Sequence, residues 1–322
     1  MAKWLKRMGW TLGVIATLLV IAFLALRTPD TDRAAMVAKY SAPGDRFITI
    51  ADGARVHVRD NGGSGQPMIL LHGSNSSLHT WEPLKRVLGD QYRIITLDLP
   101  GHGLTGATPT HRYDPDEMVA AVDGVASALG INRFILGGNS MGGGISWRYA
   151  LAHPAKVEAL ILIDAAGIPP RSDEKPPQSN IGFRILRSPV GRWLGGQITP
   201  QFMIERSLRG SVSNQSVVTE EAIDRYWELL RFPGNREATV IRFARGLADP
   251  AAAERMRSIT APTLVIFGRE DRIINPSAAQ GFAERIRGSR VVMMDGIGHL
   301  PMEEAPQATA DAISRFLVAP DS

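Results

Sequence analysis

Six short apolar runs set the rhythm of this chain: "MILLHG", "RIITLDLPG", "RFILGG", "ALILIDAAG", "TLVIFG" and "RVVMMDG". None alternates polar with apolar positions. Uninterrupted runs of this length suit strands covered on both faces, as in a parallel sheet. Two earlier segments, "FITIAD" from Phe47 and "ARVHVRD" from Ala54, precede them. In the second, Val56 and Val58 alternate with Arg55, His57 and Arg59. That pattern predicts a half-exposed strand near a sheet edge.

Helical patterns lie between the runs. The clearest is "DPDEMVAAVDGVASALG", where Asp114 can cap, Pro115 suits the first turn and Gly130 suits the end. Met118, Val122, Val125 and Leu129 fall on one face of it. Strands and helices alternating in this way predict a doubly wound α/β sheet, mostly parallel. Residues 168–257 break the alternation. They open with a proline-rich polar loop, "IPPRSDEKPPQSN", and continue with helix-like segments such as "TEEAIDRYWELLRF" and "NREATVIRFARGLA". This stretch is expected to form a helical cap. Residues 46–167 and 258–322 are expected to form the core beneath it.

The pattern before residue 46 is of another kind. No charge occurs from Met8 to Leu26, while Lys3, Lys6 and Arg7 precede that run and Arg27 follows it. A helix needs about 20 apolar residues to span a bilayer. Ala25 has Phe23 two positions before it and no A-x-A pattern follows, so a signal-cleavage site is poorly formed. Residues 1–27 are therefore expected to be an uncleaved single-pass membrane anchor. The basic head favours an inner N-terminus with the large domain on the outer, periplasmic or extracellular, side. Secretion after signal cleavage is the alternative. Residues 28–45 are polar, contain Pro29, Pro43 and Gly44, and read as a linker.

Composition narrows the chemistry only a little. The 322 residues carry a net charge of +4, with Lys and Arg scattered and no nucleic-acid motif among them, so nucleic acid is not expected as a partner. There is no cysteine, which excludes disulfides, a cysteine nucleophile and cysteine-ligated metals.

The informative chemistry is Gly138-Asn139-Ser140-Met141-Gly142, a G-x-S-x-G set between the strand run "RFILGG" and the helix-compatible "GGGISWRYALA". A sharp strand-to-helix turn crowds the residues flanking its serine, and glycines relieve the crowding. Such a turn lifts the hydroxyl above the sheet at a helix N-terminus. A serine nucleophile needs a base, and the base needs an orienting carboxylate. In this type of sheet the order along the chain is serine, acid, histidine. His299, on the glycine-rich loop after the last strand run, is the candidate base; His153 is expected to serve a turn. Asp271, after "TLVIFGRE", is the candidate acid. Its competitor is Asp164 at the end of "ALILIDAAG", expected instead to tie the start of the cap to the sheet. The oxyanion donors are expected to be the backbone N–H groups of Met141 and Ser74, with Asn75 a weaker choice. His72 and His102 are expected to organise turns. Phe183, Ile185, Leu186, Trp193, Leu194, Phe202, Met203, Trp227 and Leu230 supply apolar groups in the cap, some of them for a substrate pocket.

Taken in order, "LHGSNSS", "LDLPGHG", "GNSMGG", "GREDRI" and "GIGHLPMEEAP" resemble the α/β-hydrolase superfamily over roughly Arg46 to Leu317. The resemblance implies Ser140, Asp271 and His299 as a catalytic triad, acyl transfer to Ser140, and hydrolysis of the acyl-enzyme by water that His299 activates. It implies no metal or organic cofactor. Ser140 stands where haloalkane dehalogenases and epoxide hydrolases carry aspartate, which argues against both. The elbow is similar to that of meta-cleavage-product hydrolases, which cut carbon–carbon bonds, but those usually have tryptophan after the histidine where this chain has Leu300. An esterase or lipase acting on a small-molecule apolar ester is the expected function. Carbon–carbon hydrolysis and a non-catalytic, membrane-tethered binding module are the alternatives.

Overall fold

The computed structural model describes residues 2–169, 188–245 and 249–318. Eight strands form one sheet in the order β1-β2-β4-β3-β5-β6-β7-β8. They are β1 (Arg46–Thr49), β2 (Arg55–Asp60), β3 (Gln66–Leu71), β4 (Tyr92–Leu97), β5 (Phe134–Asn139), β6 (Val157–Ile163), β7 (Thr263–Gly268) and β8 (Arg290–Met294). The two pairings that involve β2 are antiparallel, and β4 through β8 run parallel. The six apolar runs became β3 to β8, and the reason shows in the packing. On β3, Ile69 and Leu71 join the apolar layer on one face of the sheet, while Met68 and Leu70 join the layer on the other. β8 departs from the expectation of cover on both faces. It is an edge strand, and its Arg290 and Val291 are exposed.

The helices that matter to the argument are α1 (Ala2–Leu26), α2 (Arg33–Tyr40), α3 (Glu82–Leu88), α4 (Pro115–Ala128), α5 (Met141–Ala152), α6 (Pro189–Gly195), α7 (Gln201–Ser211), α8 (Glu220–Leu230), α9 (Asn235–Arg245), α10 (Pro250–Arg255), α11 (Ala278–Arg285), α12 (Pro301–Glu304) and α13 (Pro306–Val318). α4, α5 and α11 cover one face through Val125, Trp147 and Phe282. α3 and α13 cover the other through Leu84, Leu88 and Ile313. α4 starts as its sequence requires: the Asp114 carboxylate accepts the Glu117 N–H at 2.9 Å, one of the orphan donors of a helix start.

β2 lies near the sheet edge as expected, next to β1, but it is not half-exposed: His57 is buried along with Val56 and Val58. The ring is held from both sides, Nδ1 to Asp98 Oδ2 at 2.7 Å and Nε2 to Asp45 Oδ2 at 2.9 Å. Burial alone would depress its basicity, but the hydrogen bonds and charges of Asp45 and Asp98 push it up to about 9. A buried imidazolium between two carboxylates therefore replaces a solvated histidine.

Lys6–Leu26, within α1, is long and apolar enough to cross a membrane, and none of its side chains is buried. Its last turn meets the described helices between β6 and β7, where Phe23 stacks on Trp193 at 5.2 Å between ring centres. The polar stretch 28–45 holds α2, capped by Asp32, and lies against the same region. Thr28 N–H donates to the Gln197 carbonyl at 2.9 Å, Tyr40 OH donates to Glu228 at 2.6 Å, and Met36 is buried with Leu229 and Phe232.

Candidate active site

β5 ends at Asn139 and α5 begins at Met141, so Ser140 alone makes the turn. It adopts φ 54° and ψ −118°, a conformation that L-residues rarely hold. Three backbone hydrogen bonds hold it. Ser140 N–H donates to Ile163 O at 3.1 Å, and its carbonyl accepts from Gly144 at 3.0 Å and from Ala166 at 2.9 Å. The glycines answer to close approach. A Cβ on Gly138 would run into the Gly142 carbonyl, and one on Gly142 would run into the Leu71 carbonyl.

Asp271 and His299 meet across the loops after β7 and β8. Asp271 Oδ2 lies 2.7 Å from His299 Nδ1. Its Oδ1 accepts the Ile273 N–H at 2.7 Å and the Ile274 N–H at 3.1 Å, which fixes the carboxylate plane. The histidine backbone is pinned from three sides. His299 N–H donates to Ser211 O at 2.8 Å, its carbonyl accepts Asn139 Nδ2 at 3.0 Å, and Glu304 Oε1 accepts the Gly298 N–H at 3.0 Å. Glu304 Oε2 also accepts the N–H groups of Ser213 and Asn214, at 2.7 and 2.9 Å, so one carboxylate ties the histidine loop to the end of α7. Sequence reasoning passed over Asn139, Ser211 and Glu304. Asn139 and Glu304 stand inside motifs quoted for other residues, and Ser211 acts through its carbonyl, which carries no sequence signal.

Asp164 ends β6 fully buried at φ 42°, with Oδ1 accepting the Gly268 N–H at 3.0 Å. Asp164, Asp271 and His299 each present a ligand-capable atom within 4.8 Å of the others. Burial first, and the charge of Asp271 next, hold the Asp164 carboxyl well above the ordinary carboxylate range. Three such atoms could in principle hold a metal. Here His299 Nδ1 already faces Asp271 Oδ2, and backbone N–H groups occupy Oδ1 of each carboxylate, the arrangement of a hydrogen-bonded acid–base cluster.

Ser140 and His299 line one cavity of about 130 Å³, together with Ser74, Asn75, Tyr226 and Leu230. Gly73 brings the β3 loop against the serine, since a Cβ there would sit 3.2 Å from that of Ser140. Ser74 follows it. Met141 is the first residue of α5, so its N–H has no carbonyl one turn earlier to bond. Asn75 turns its side chain to α9 and accepts from Thr239 Oγ1 at 2.7 Å. His72 is buried between the Gly73 carbonyl and the Leu99 N–H, and His102 bonds the Pro100 carbonyl. Burial lowers the basicity of both. His153 closes α5 by donating its N–H to Tyr149 O.

Of the apolar residues expected around a substrate, Leu230 lines the cavity. Trp193, Phe202 and Met203 are exposed, and Trp227 carries the Arg231 guanidinium over its ring at 3.6 Å. Phe183, Ile185 and Leu186 lie outside the described residues. Ile204, Leu208 and Leu300 supply apolar lining that the sequence did not single out.

The model of the alpha/beta hydrolase fold family matches residues 66–306, which run from β3 to the start of α13. The chain belongs to this family. Among curated relatives of this alpha/beta hydrolase, 2-hydroxymuconate semialdehyde hydrolase of Pseudomonas sp. (strain CF600) is 28% identical over 89% of this chain and 99% of its own. Lipase 3 of Moraxella sp. (strain TA144) is 27% identical over 84% of each. Among solved structures, a membrane phospholipase A described as a bacterial virulence factor superposes with a TM-score of 0.70 at 25% identity. That likeness covers 98% of both chains. The alpha/beta hydrolase thus has both lipase and semialdehyde hydrolase relatives, and it is a hydrolase by family.

Proposed function

We propose that this alpha/beta hydrolase cleaves a carboxylic ester of an apolar substrate through an acyl-enzyme on Ser140. The observation that carries the reading is the 2.7 Å contact between Asp271 and His299 Nδ1, which leaves Nε2 to serve the serine in the cavity that both residues line. His299 takes the Ser140 proton as Oγ attacks the ester carbonyl. The oxyanion forms beside the N–H groups of Ser74 and Met141. Collapse expels the alcohol, which receives the proton from His299. A water molecule, deprotonated by the same nitrogen, then releases the acid.

Ile204, Leu208, Leu230 and Leu300 support an uncharged acyl group. The cavity is smaller than the roughly 300–1,000 Å³ of most ligand pockets. It fits the reacting ester and a short acyl segment, so a longer chain requires α7 and α8, which line it, to shift. α1 is read as a single-pass anchor, with the hydrolase domain on the outer side and Lys3, Lys6 and Arg7 inside. Membrane attachment beside the exposed Val190, Trp193, Phe202 and Met203 suits a lipid-like ester. The alternative of carbon–carbon bond cleavage draws on the semialdehyde hydrolase relative, and Leu300 after His299 favours the ester reading.

The test uses the full chain in detergent. A fluorophosphonate should label Ser140, and Ser140→Ala should stay folded, take no label and lose nearly all hydrolysis of apolar esters. Near-wild-type turnover by that variant would overturn the assignment. A substrate series of esters of graded length together with meta-cleavage products decides between the two bond types.

A further inference from the structure

We propose that Asp164 is a positioning residue: a neutral carboxylic acid that keeps its proton and donates it in a hydrogen bond to Asp271, holding that carboxylate as an anion set against His299. The inference rests on the reading of Asp271 and His299 as the acid–base pair that serves Ser140.

β6 and β7 are parallel neighbours with Ile163 paired to Ile266, so the loops that follow them leave the sheet side by side. Asp164 opens the first loop and Asp271 lies in the second. The strained φ of 42° at Asp164 is held by its own N–H, which donates to the Ile266 carbonyl at 2.8 Å. A conformation of this kind persists only where its surroundings enforce it. It directs the side chain into the protein, where it is fully buried. Oδ1 accepts one N–H, from Gly268. Oδ2 has no partner among the described residues, and a carboxylate oxygen of Asp164 lies within 4.8 Å of one of Asp271.

Two carboxylates this close in a buried site disfavour a second negative charge. The donors decide which one keeps the proton. Among the described residues, Asp271 receives the N–H groups of Ile273 and Ile274 and the imidazole Nδ1, while Asp164 receives the Gly268 N–H alone. The charge of Glu304 bears on the same spot and further opposes an anion at Asp164. The proton therefore rests on Asp164. Nothing is consumed or transferred in this arrangement, since the proton stays on Asp164 throughout turnover. Its effect is to give Asp271 one more donor, which fixes the carboxylate orientation and spreads its charge. Without that donor the anion would hold the imidazolium more tightly, and His299 would release its proton less readily.

The chemistry requires a neutral donor at position 164, and an amide supplies one. In the full-length protein, infrared difference spectra of wild type against Asp164→Asn at neutral pH should show loss of a carboxylic-acid carbonyl band. That signal does not depend on substrate, so it separates this proposal from the choice of reaction. Asp164→Asn should keep kcat within about threefold, whereas Asp164→Ala should lose on the order of tenfold in kcat with KM unchanged. The acid limb of its kcat/KM profile should also move to higher pH. If Asp164→Ala does not fold, the Asn variant decides alone: band lost with activity kept supports the proposal. An unchanged infrared spectrum, or an Asn variant as impaired as the Ala variant, overturns it.

Discussion

Ser140 shows how one residue can be named from its neighbours. A side chain at Gly138 or Gly142 would meet backbone that cannot retreat, so the glycines record the turn directly in the sequence. His299 was legible for a different reason, as the histidine on a glycine-rich loop at the end of the last strand run. Asp271 was harder, because Asp164 offers the same residue type at an equivalent strand end. The structure sets Asp271 against His299 and places Asp164 behind it. On the proposed mechanism, removing the charge of Asp271 takes away the group that orients the imidazole and stabilises the imidazolium. Asp271→Asn is expected to lower kcat on the order of 10³-fold or more with little effect on KM. Steady-state kinetics on a folded variant check this, and a loss confined to KM would remove Asp271 from the role of acid.

β2 carries its own consequence for stability at the scale of an element. Its His57 is ordinarily a group of pKa 6.5, and the folded chain raises it to about 9. The native state thus holds a proton that the unfolded chain releases over that range. The stabilisation is complete below 6.5 and is lost as pH rises through about 9. Thermal unfolding of the full chain between about pH 6 and pH 10 should show Tm falling with pH, and His57→Gln should flatten that slope. An equal slope in both proteins would show that the buried pair contributes nothing. The alternating pattern of β2 misled because charged partners from outside the strand, Asp45 and Asp98, can bury a polar face as fully as apolar ones. α2 was missed for a related cause. It is short and polar, and its single buried residue, Met36, finds partners about two hundred positions away at Leu229 and Phe232.

The whole molecule joins an apolar helix to the region above the site. Phe23 against Trp193, Thr28 on Gln197 and α2 on Glu228 make α1 continuous with that region. A bilayer around α1 would therefore lie next to the exposed Val190 and Trp193. The intact protein is expected to sediment with membranes and to resist extraction by high salt, since the attachment is hydrophobic and screening does not weaken it. Recovery of a soluble protein whose first residue lies near Arg27 would show a cleaved signal instead.

Local physics determined what the sequence alone could say. Strands buried on both faces must be apolar without interruption, so β3 to β7 and their order along the chain were visible. The sharp turn at Ser140 demanded glycines, and an apolar run the length of a bilayer stood out beside polar sequence. Tertiary structure decided the matters that depend on which distant segments become neighbours. It set the sheet order and left β8 at an edge. It buried His57 between two carboxylates, packed the stretch 28–45 against the residues above the site, and pinned the His299 loop through Asn139 and Glu304. It also set two strand-end carboxylates side by side. An aspartate reads the same in sequence whether water or another carboxylate faces it, and only the fold settles which of the two keeps its proton.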